Sequence, residues 1–325
     1  MRIALAGLGG AAVHGHLPAI QSLEHQRRLR LVAAADSEFK PHGSMEKALR
    51  GVPVFTSVES MLSSVQSDVL AIATEPSSHA GLVELGFDHD LHVVCEKPLA
   101  LTTHHRASVK AAVESSNDLA LVSIHQYRYS RTWMRLALWM RVANALRLPF
   151  SLLAEVSRRG VEDPHAASSW RTELSTSGGM LADHGSHFIA LAWTIDQRLS
   201  ALDGKRLRQG PDGERSSGTV RVGSGVLELR MSTTSGARRT RVEARAPGLT
   251  IDWQGSRLEL LARGRHIASR RTDALSNRNY LDSLYHPFYA DLAQNLSNDV
   301  WRASRTGESL AVGTILVDLL ERAAN

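Results

Sequence analysis

Two short stretches of the sequence hold residues whose types and spacing suit chemistry rather than packing. The first is Cys95-Glu96-Lys97-Pro98, which closes the apolar run Leu91-His92-Val93-Val94. Lysine is scarce here, five residues against 33 arginines, so one at this point needs a reason. Open α/β sheets bind ligands in the crevice beyond the carboxyl ends of their strands. Pro98 blocks continuation of the strand, which leaves Lys97 placed to act on a bound molecule. The bland counterpart is a surface turn with a Glu–Lys ion pair worth roughly 0–1 kcal/mol.

The second stretch is Gly7-Leu8-Gly9-Gly10-Ala11-Ala12, directly after an apolar segment and directly before a helical pattern. It reads G-x-G-x-x-A: Gly7 for a tight turn, Gly9 for close approach of a pyrophosphate, Ala12 for helix–strand packing. The helix N-terminus behind it offers N–H groups and a positive dipole end. Asp36 lies 24 residues beyond Ala12, at the end of the second apolar run. An acidic residue there accepts from a ribose 2′-OH and repels a 2′-phosphate. That favours NAD over NADP, although Ser37 and Lys40 stand close enough in sequence to receive a phosphate.

These residues must be held by elements that the pattern supplies. Residues 1–124 alternate strands at 2–6, 29–36, 52–55, 69–74, 91–95 and 119–124 with helices at 14–23, 57–63, 78–87 and 102–114. Near-continuous apolar strands separated by helices predict a doubly wound parallel sheet. Beyond residue 124 the grammar changes: helices at 133–146 and 178–193, then strands separated by glycine turns from 201 to 269, including a hairpin pairing 220–222 with 226–231. Helices at 288–296 and 308–323 close the chain. The expectation is a second domain over 125–325, an α+β fold with a large open, mostly antiparallel sheet covered by helices on one face. The final helix is free to pack back on the first domain.

The composition is that of a globular protein, 43% hydrophobic and 22% charged, and 325 residues exceed the length at which one core usually splits. The arginines are scattered, so the net charge of +5 is not read as a nucleic-acid surface. No apolar run approaches a membrane span. The N-terminus lacks the layout of a signal peptide, and a lone cysteine fits a reducing compartment, so a cytoplasmic protein is expected.

Four segments then occur in order: Gly7-Leu8-Gly9-Gly10 with His16-Leu17-Pro18-Ala19-Ile20, Ala73-Thr74-Glu75-Pro76-Ser77-Ser78-His79, Glu96-Lys97-Pro98, and Gly178-Gly179-Met180-Leu181-Ala182-Asp183-His184-Gly185-Ser186-His187. Together they resemble, over the whole chain, the glucose–fructose oxidoreductase / inositol dehydrogenase / MocA (Gfo/Idh/MocA) family. The resemblance implies a Rossmann domain and a nicotinamide dehydrogenase acting on a sugar, sugar derivative or cyclitol. Lys97 then polarises the reacting hydroxyl, and Asp183 and His187 complete the catalytic set. It implies cofactor contacts from Gly7, Leu8, Gly9, Gly10, Ala11, Ala12, Asp36, Ser37, Thr74, Glu75, His79, Glu96 and Lys97, with Trp170 and Arg171 near the nicotinamide or substrate. Substrate contacts are expected from Lys97, Gln126, Arg128, Trp170, Asp183, His184, His187 and Tyr285. It also implies a cis Lys97–Pro98 peptide and a homodimer or homotetramer paired through the open sheet face, with alternate residues of 220–231 as one contact.

The chemistry agrees independently. Hydride removal from a carbinol carbon requires loss of the hydroxyl proton, and histidine is the usual base near neutral pH. Asp183 and His187 stand at i and i+4, on one face of a helix. Two departures stand out: Ala12 replaces a glycine, and Gln126 or His125 stands where the family carries asparagine, while Arg128 matches. His184 and His187 beside Asp183 invite a zinc site, but no second ligand cluster accompanies them, so no metal is expected. The alternatives are an NAD-dependent glycosidase that uses transient oxidation and a catalytically silent NAD-binding regulator. Intact Lys97, Asp183 and His187 argue against the second and suit the first equally well.

Overall fold

The apolar segments at the start of the chain are buried on both faces, as strands sandwiched between helices must be. In the computed structural model they are β1 (Arg2–Ala6), β2 (Arg30–Ala35), β3 (Val54–Phe55), β4 (Val69–Ile72), β5 (His92–Cys95) and β6 (Leu121–Ser123). All neighbouring pairs are parallel, in the order β3-β2-β1-β4-β5-β6. The order reverses between β1 and β4, the switch point at which such sheets bind ligands. The structure describes residues 1–38, 43–116, 118–159, 177–208, 213–234, 239–272 and 277–324.

The connecting helices are α1 (Leu17–His25), entered through a π-helical turn at Ala12–His16, α2 (Gly43–Ala48), α3 (Val58–Ser64), α4 (His79–Asp88) and α5 (Thr103–Ser115). Ser57 caps α3 by accepting from the Ser60 amide at 3.1 Å. No helix among the described residues is long and apolar enough to cross a membrane.

The remaining elements are α6 (Arg131–Ala145), β7 (Ser151–Arg159), α7 (Gly179–Ile195) and the strands β8 (Leu199–Arg208), β9 (Arg215–Val222), β10 (Gly225–Thr234), β11 (Arg239–Ala246), β12 (Leu249–Gln254), β13 (Arg257–Ala262) and β14 (Arg265–Arg271). Three helices follow: α8 (Arg278–Ser283), α9 (Tyr285–Asn295) and α10 (Asp299–Ala324). The eight strands form one sheet, β14-β13-β12-β11-β7-β10-β9-β8, antiparallel except where β7 meets β10. The expected hairpin is β9–β10, turning at Gly223-Ser224. Val220, Val222, Leu227, Leu229, Met231, Val242 and Trp253 are buried on the helix-covered side. The other face carries charge: Arg241 lies 2.9 Å from Asp252, 2.8 Å from Glu243 and 3.5 Å from Glu155.

The chain forms two compact units, one of Met1–Ala100, His104–Ile124 and Asp282–Leu310, the other of Leu101–Thr103, His125–Leu281 and Ala311–Asn325. The reading that drew one domain over 125–325 therefore differs from the structure, because Asp282–Leu310 returns to the first sheet. The reason is the edge strand β6, whose backbone groups need partners. Thr306 Oγ1 accepts from the Leu121 amide at 3.1 Å, and Ser309 Oγ from the Ser123 amide at 2.8 Å.

Candidate active site

The turn after β1 is built from backbone constraints. Gly7 adopts φ +88°, and a Cβ there would lie 2.7 Å from the Ala73 carbonyl carbon, so only glycine fits beside β4. A Cβ on Gly9 would meet nothing within 4 Å, which leaves open space over that backbone. Val13 is the first residue whose amide reaches a carbonyl of its own helix, Gly9 O at 3.1 Å. The amides of Gly9, Gly10, Ala11 and Ala12 therefore precede the helical ladder, as an anion cradle requires. Asp36 is drawn into this loop: its Oδ2 accepts from the Leu8 amide at 2.8 Å and its Oδ1 from the Glu38 amide at 2.9 Å. The residues present fit a dinucleotide: amides ahead of the helical ladder, open space over Gly9 and a carboxylate fixed beside them. Ser37 is exposed beside it, and Lys40 lies outside the described residues.

The loop after β4 adds a second wall. Thr74 Oγ1 lies 2.7 Å from Ser78 Oγ, which donates to the Glu75 carbonyl at 2.8 Å. His79, expected at the cofactor, is fully enclosed instead, with Nδ1 2.8 Å from the Pro98 carbonyl and Nε2 3.2 Å from the Thr74 carbonyl. Burial pushes its pKa down, so the ring is neutral with one N–H, which the shorter contact assigns to Nδ1. Its part is to tie the Lys97–Pro98 turn to the loop after β4. That peptide bond is cis.

Two further expected residues are buried. The Glu96 side chain points inward, 3.2 Å from His16 Nε2, and receives a hydrogen bond from Tyr285 Oη. Tyr285, expected at the substrate, is itself buried in the first unit.

In the second unit Asp183 and His187 share α7 as the spacing predicted. Arg158 Nη1 donates to Asp183 Oδ2 at 2.9 Å, and His184 Nε2 lies 3.5 Å from the same oxygen. His187 is buried with its ring stacked on Tyr127, centroids 3.9 Å apart and planes 9° apart. Gln126 and His125 are buried nearby in chain position, and the His125 ring meets His187 edge-on at 6.4 Å. Arg128 is half-buried on the same short 3₁₀ turn. Trp170 and Arg171 lie outside the described residues. Sequence reasoning missed Arg158 and the stacking role of Tyr127. The only available signal was the aromatic between Gln126 and Arg128.

A glycine cradle at the switch point of a parallel sheet, with a carboxylate fixed beside it, defines a dinucleotide-binding domain. Comparison with known proteins agrees. Residues 1–124 match the family described as "Oxidoreductase family, NAD-binding Rossmann fold". The chain is 28% identical to D-xylose 1-dehydrogenase (NADP(+)) 2 of Haloferax volcanii over 236 residues, 72% of this chain and 68% of that protein. It is 29% identical to levoglucosan dehydrogenase of Pseudarthrobacter phenanthrenivorans over 167 residues, 48% of this chain and 42% of that one. An Agrobacterium radiobacter oxidoreductase solved with NAD+, L-tartaric acid and magnesium shares the fold, with TM-score 0.78, 19% identity, and coverage of 100% of this chain and 96% of that one. The first 124 residues therefore carry the NAD-binding domain of that oxidoreductase family, and the chain is an NAD(P)-dependent oxidoreductase.

Proposed function

We propose that this protein is a dehydrogenase acting on a hydroxyl or keto carbon of a sugar, sugar derivative or cyclitol. The observation that carries the reading is the cradle: Gly7 against Ala73, open space over Gly9, and Asp36 pinned to the Leu8 amide. Bound nicotinamide supplies the hydride acceptor or donor. Lys97 then polarises the reacting oxygen and stabilises developing alkoxide charge, while the His187 imidazole takes or returns the hydroxyl proton. Stacking on Tyr127 restricts rotation of that ring. Asp183, ion-paired with Arg158, acts as a fixed anion that orients His187 or a substrate hydroxyl rather than as the base. Gln126, Arg128, His184 and Trp170 are proposed substrate contacts.

NAD is the proposed preference over NADP, from the anionic Asp36, although the Haloferax relative is named for NADP+. We infer a cytoplasmic homodimer or homotetramer that pairs through the charged open sheet face. The test is a panel of pentoses, hexoses, anhydrosugars, aminosugars, nucleotide-linked sugars and cyclitols, scored by absorbance of reduced cofactor. Net NADH formation with one class supports the reading, and aglycone release without net NADH replaces it with redox-assisted glycoside cleavage. Lys97→Ala and His187→Ala should each lower kcat by ~10²-fold or more. Wild-type turnover in either variant removes that residue's role.

A further inference from the structure

Glu96 is a carboxylate enclosed by protein, a costly arrangement unless donors surround it. Oε1 receives the Tyr285 hydroxyl and lies 3.2 Å from His16 Nε2, while Oε2 accepts from the Lys97 backbone amide at 3.2 Å. His16 Nδ1 lies 2.7 Å from Tyr289 Oη. One proton arrangement satisfies all of these groups: the Tyr289 hydroxyl donates to Nδ1, and Nε2–H donates to Oε1. Burial raises the pKa of both tyrosines well above the usual range, so they stay protonated donors. Burial alone would raise Glu96 too, but the His16 hydrogen bond, with Lys97 and Tyr285, outweighs it and leaves the carboxyl below its ordinary value.

The chain makes room for this knot. The Leu17 amide bonds back five residues to the Ala12 carbonyl, a π-turn that inserts one residue just after the cradle and re-aims the side chains that follow. It sets Gly15 under the Tyr285 ring, where a Cβ would lie 2.6 Å from Cε2. It also turns His16 inward. Residues 80 and 189 positions from Glu96 and Tyr285 respectively are thus joined: His16 to Glu96, and Glu96 to Tyr285.

We propose that His16 and Tyr285 are positioning residues for Lys97, holding the Glu96 carboxylate so that its second oxygen fixes the Lys97 amide. The proposal rests on the dehydrogenase reading for its kinetic consequence only. In Tyr285→Phe, which removes one hydroxyl, the Lys97 amide should exchange with solvent on the order of tenfold faster by NMR, with or without NAD. In the same variant kcat should fall on the order of tenfold to a hundredfold, with substrate KM, NAD affinity by calorimetry and Tm little changed. His16→Gln, whose amide can still donate to Oε1, should recover most of what His16→Ala loses. Unchanged Lys97 exchange in Tyr285→Phe overturns the proposal. So does a parallel fall in kcat, NAD affinity and folded fraction, which a purely structural role produces. If wild-type protein oxidises nothing in the panel, the dehydrogenase reading fails, while the exchange measurement still decides the network.

Discussion

Two carboxylates, Glu96 and Asp183, show how one functional group is given different duties. Glu96 is enclosed and held by a tyrosine hydroxyl, a histidine and a peptide N–H. Asp183 keeps about a quarter of its side chain accessible and is held by the guanidinium of Arg158 at 2.9 Å. Enclosure by short-range donors fixes geometry and leaves little for a ligand to use. A half-open ion pair keeps charge where a ligand can read it. On that contrast Glu96 serves a neighbour, and Asp183 serves the proposed chemistry directly.

The largest expected effect tests this contrast in stability. Glu96→Ala strands two buried donors, the Tyr285 hydroxyl and the His16 ring N–H, and the part-buried Lys97 amide, and should cost on the order of 3 kcal/mol in urea unfolding. Asp183→Ala breaks a part-exposed pair and should cost below about 1 kcal/mol, yet lower kcat by ~10²-fold. Comparable losses of stability in the two variants would erase the distinction.

The sequence made the local half of this picture readable and hid the rest for a physical reason. The Gly7–Ala12 cradle, the Ser57 cap, the β9–β10 hairpin and the i, i+4 pairing of Asp183 with His187 all depend on spacings of a few residues. Arg158 reaches Asp183 across 25 positions, and His16 reaches Glu96 across 80. No periodicity records such meetings, because they arise only when strands and helices pack. Tyr285 is an example: the sequence allowed either a pocket residue or a plain lead-in to a helix, and only the return of Asp282–Leu310 to the first unit shows its hydroxyl meeting Glu96. His79 is similar, since its place in a motif says nothing about which way its ring turns.

Asp36 is an intermediate case that sharpens the comparison. Its two oxygens are pinned by the Leu8 and Glu38 amides, yet the residue is only half-buried, so it combines fixed geometry with a readable charge. If it faces the ribose, Asp36→Ala should weaken NAD about tenfold, the loss of hydrogen bonds to a charged group, and improve NADP relative to NAD. Calorimetry with both cofactors measures this. An unchanged ratio would leave Asp36 as a structural clamp like Glu96.

The smallest effect concerns enclosed groups alone. His79 is neutral in the folded protein because burial holds its pKa below the free value. The unfolded chain takes up a proton near pH ~6.5, while the folded one resists until its lower pKa is reached. The stability held by neutral His79 is therefore complete above about pH 6.5 and declines as pH falls, by at most about 1.4 kcal/mol between pH 7.5 and 5.5. Glu96, also depressed, adds its own loss only on further acidification below about pH 4.3. His79→Gln should flatten the first window and leave the second, when unfolding free energies of variant and wild type are subtracted at each pH. A difference curve of opposite slope between pH 7.5 and 5.5, with the His79 contribution growing as pH falls, would mean that His79 is protonated in the folded state, held as a cation between the Thr74 and Pro98 carbonyls. His79 would then join Asp183 among the groups whose charge is maintained rather than suppressed.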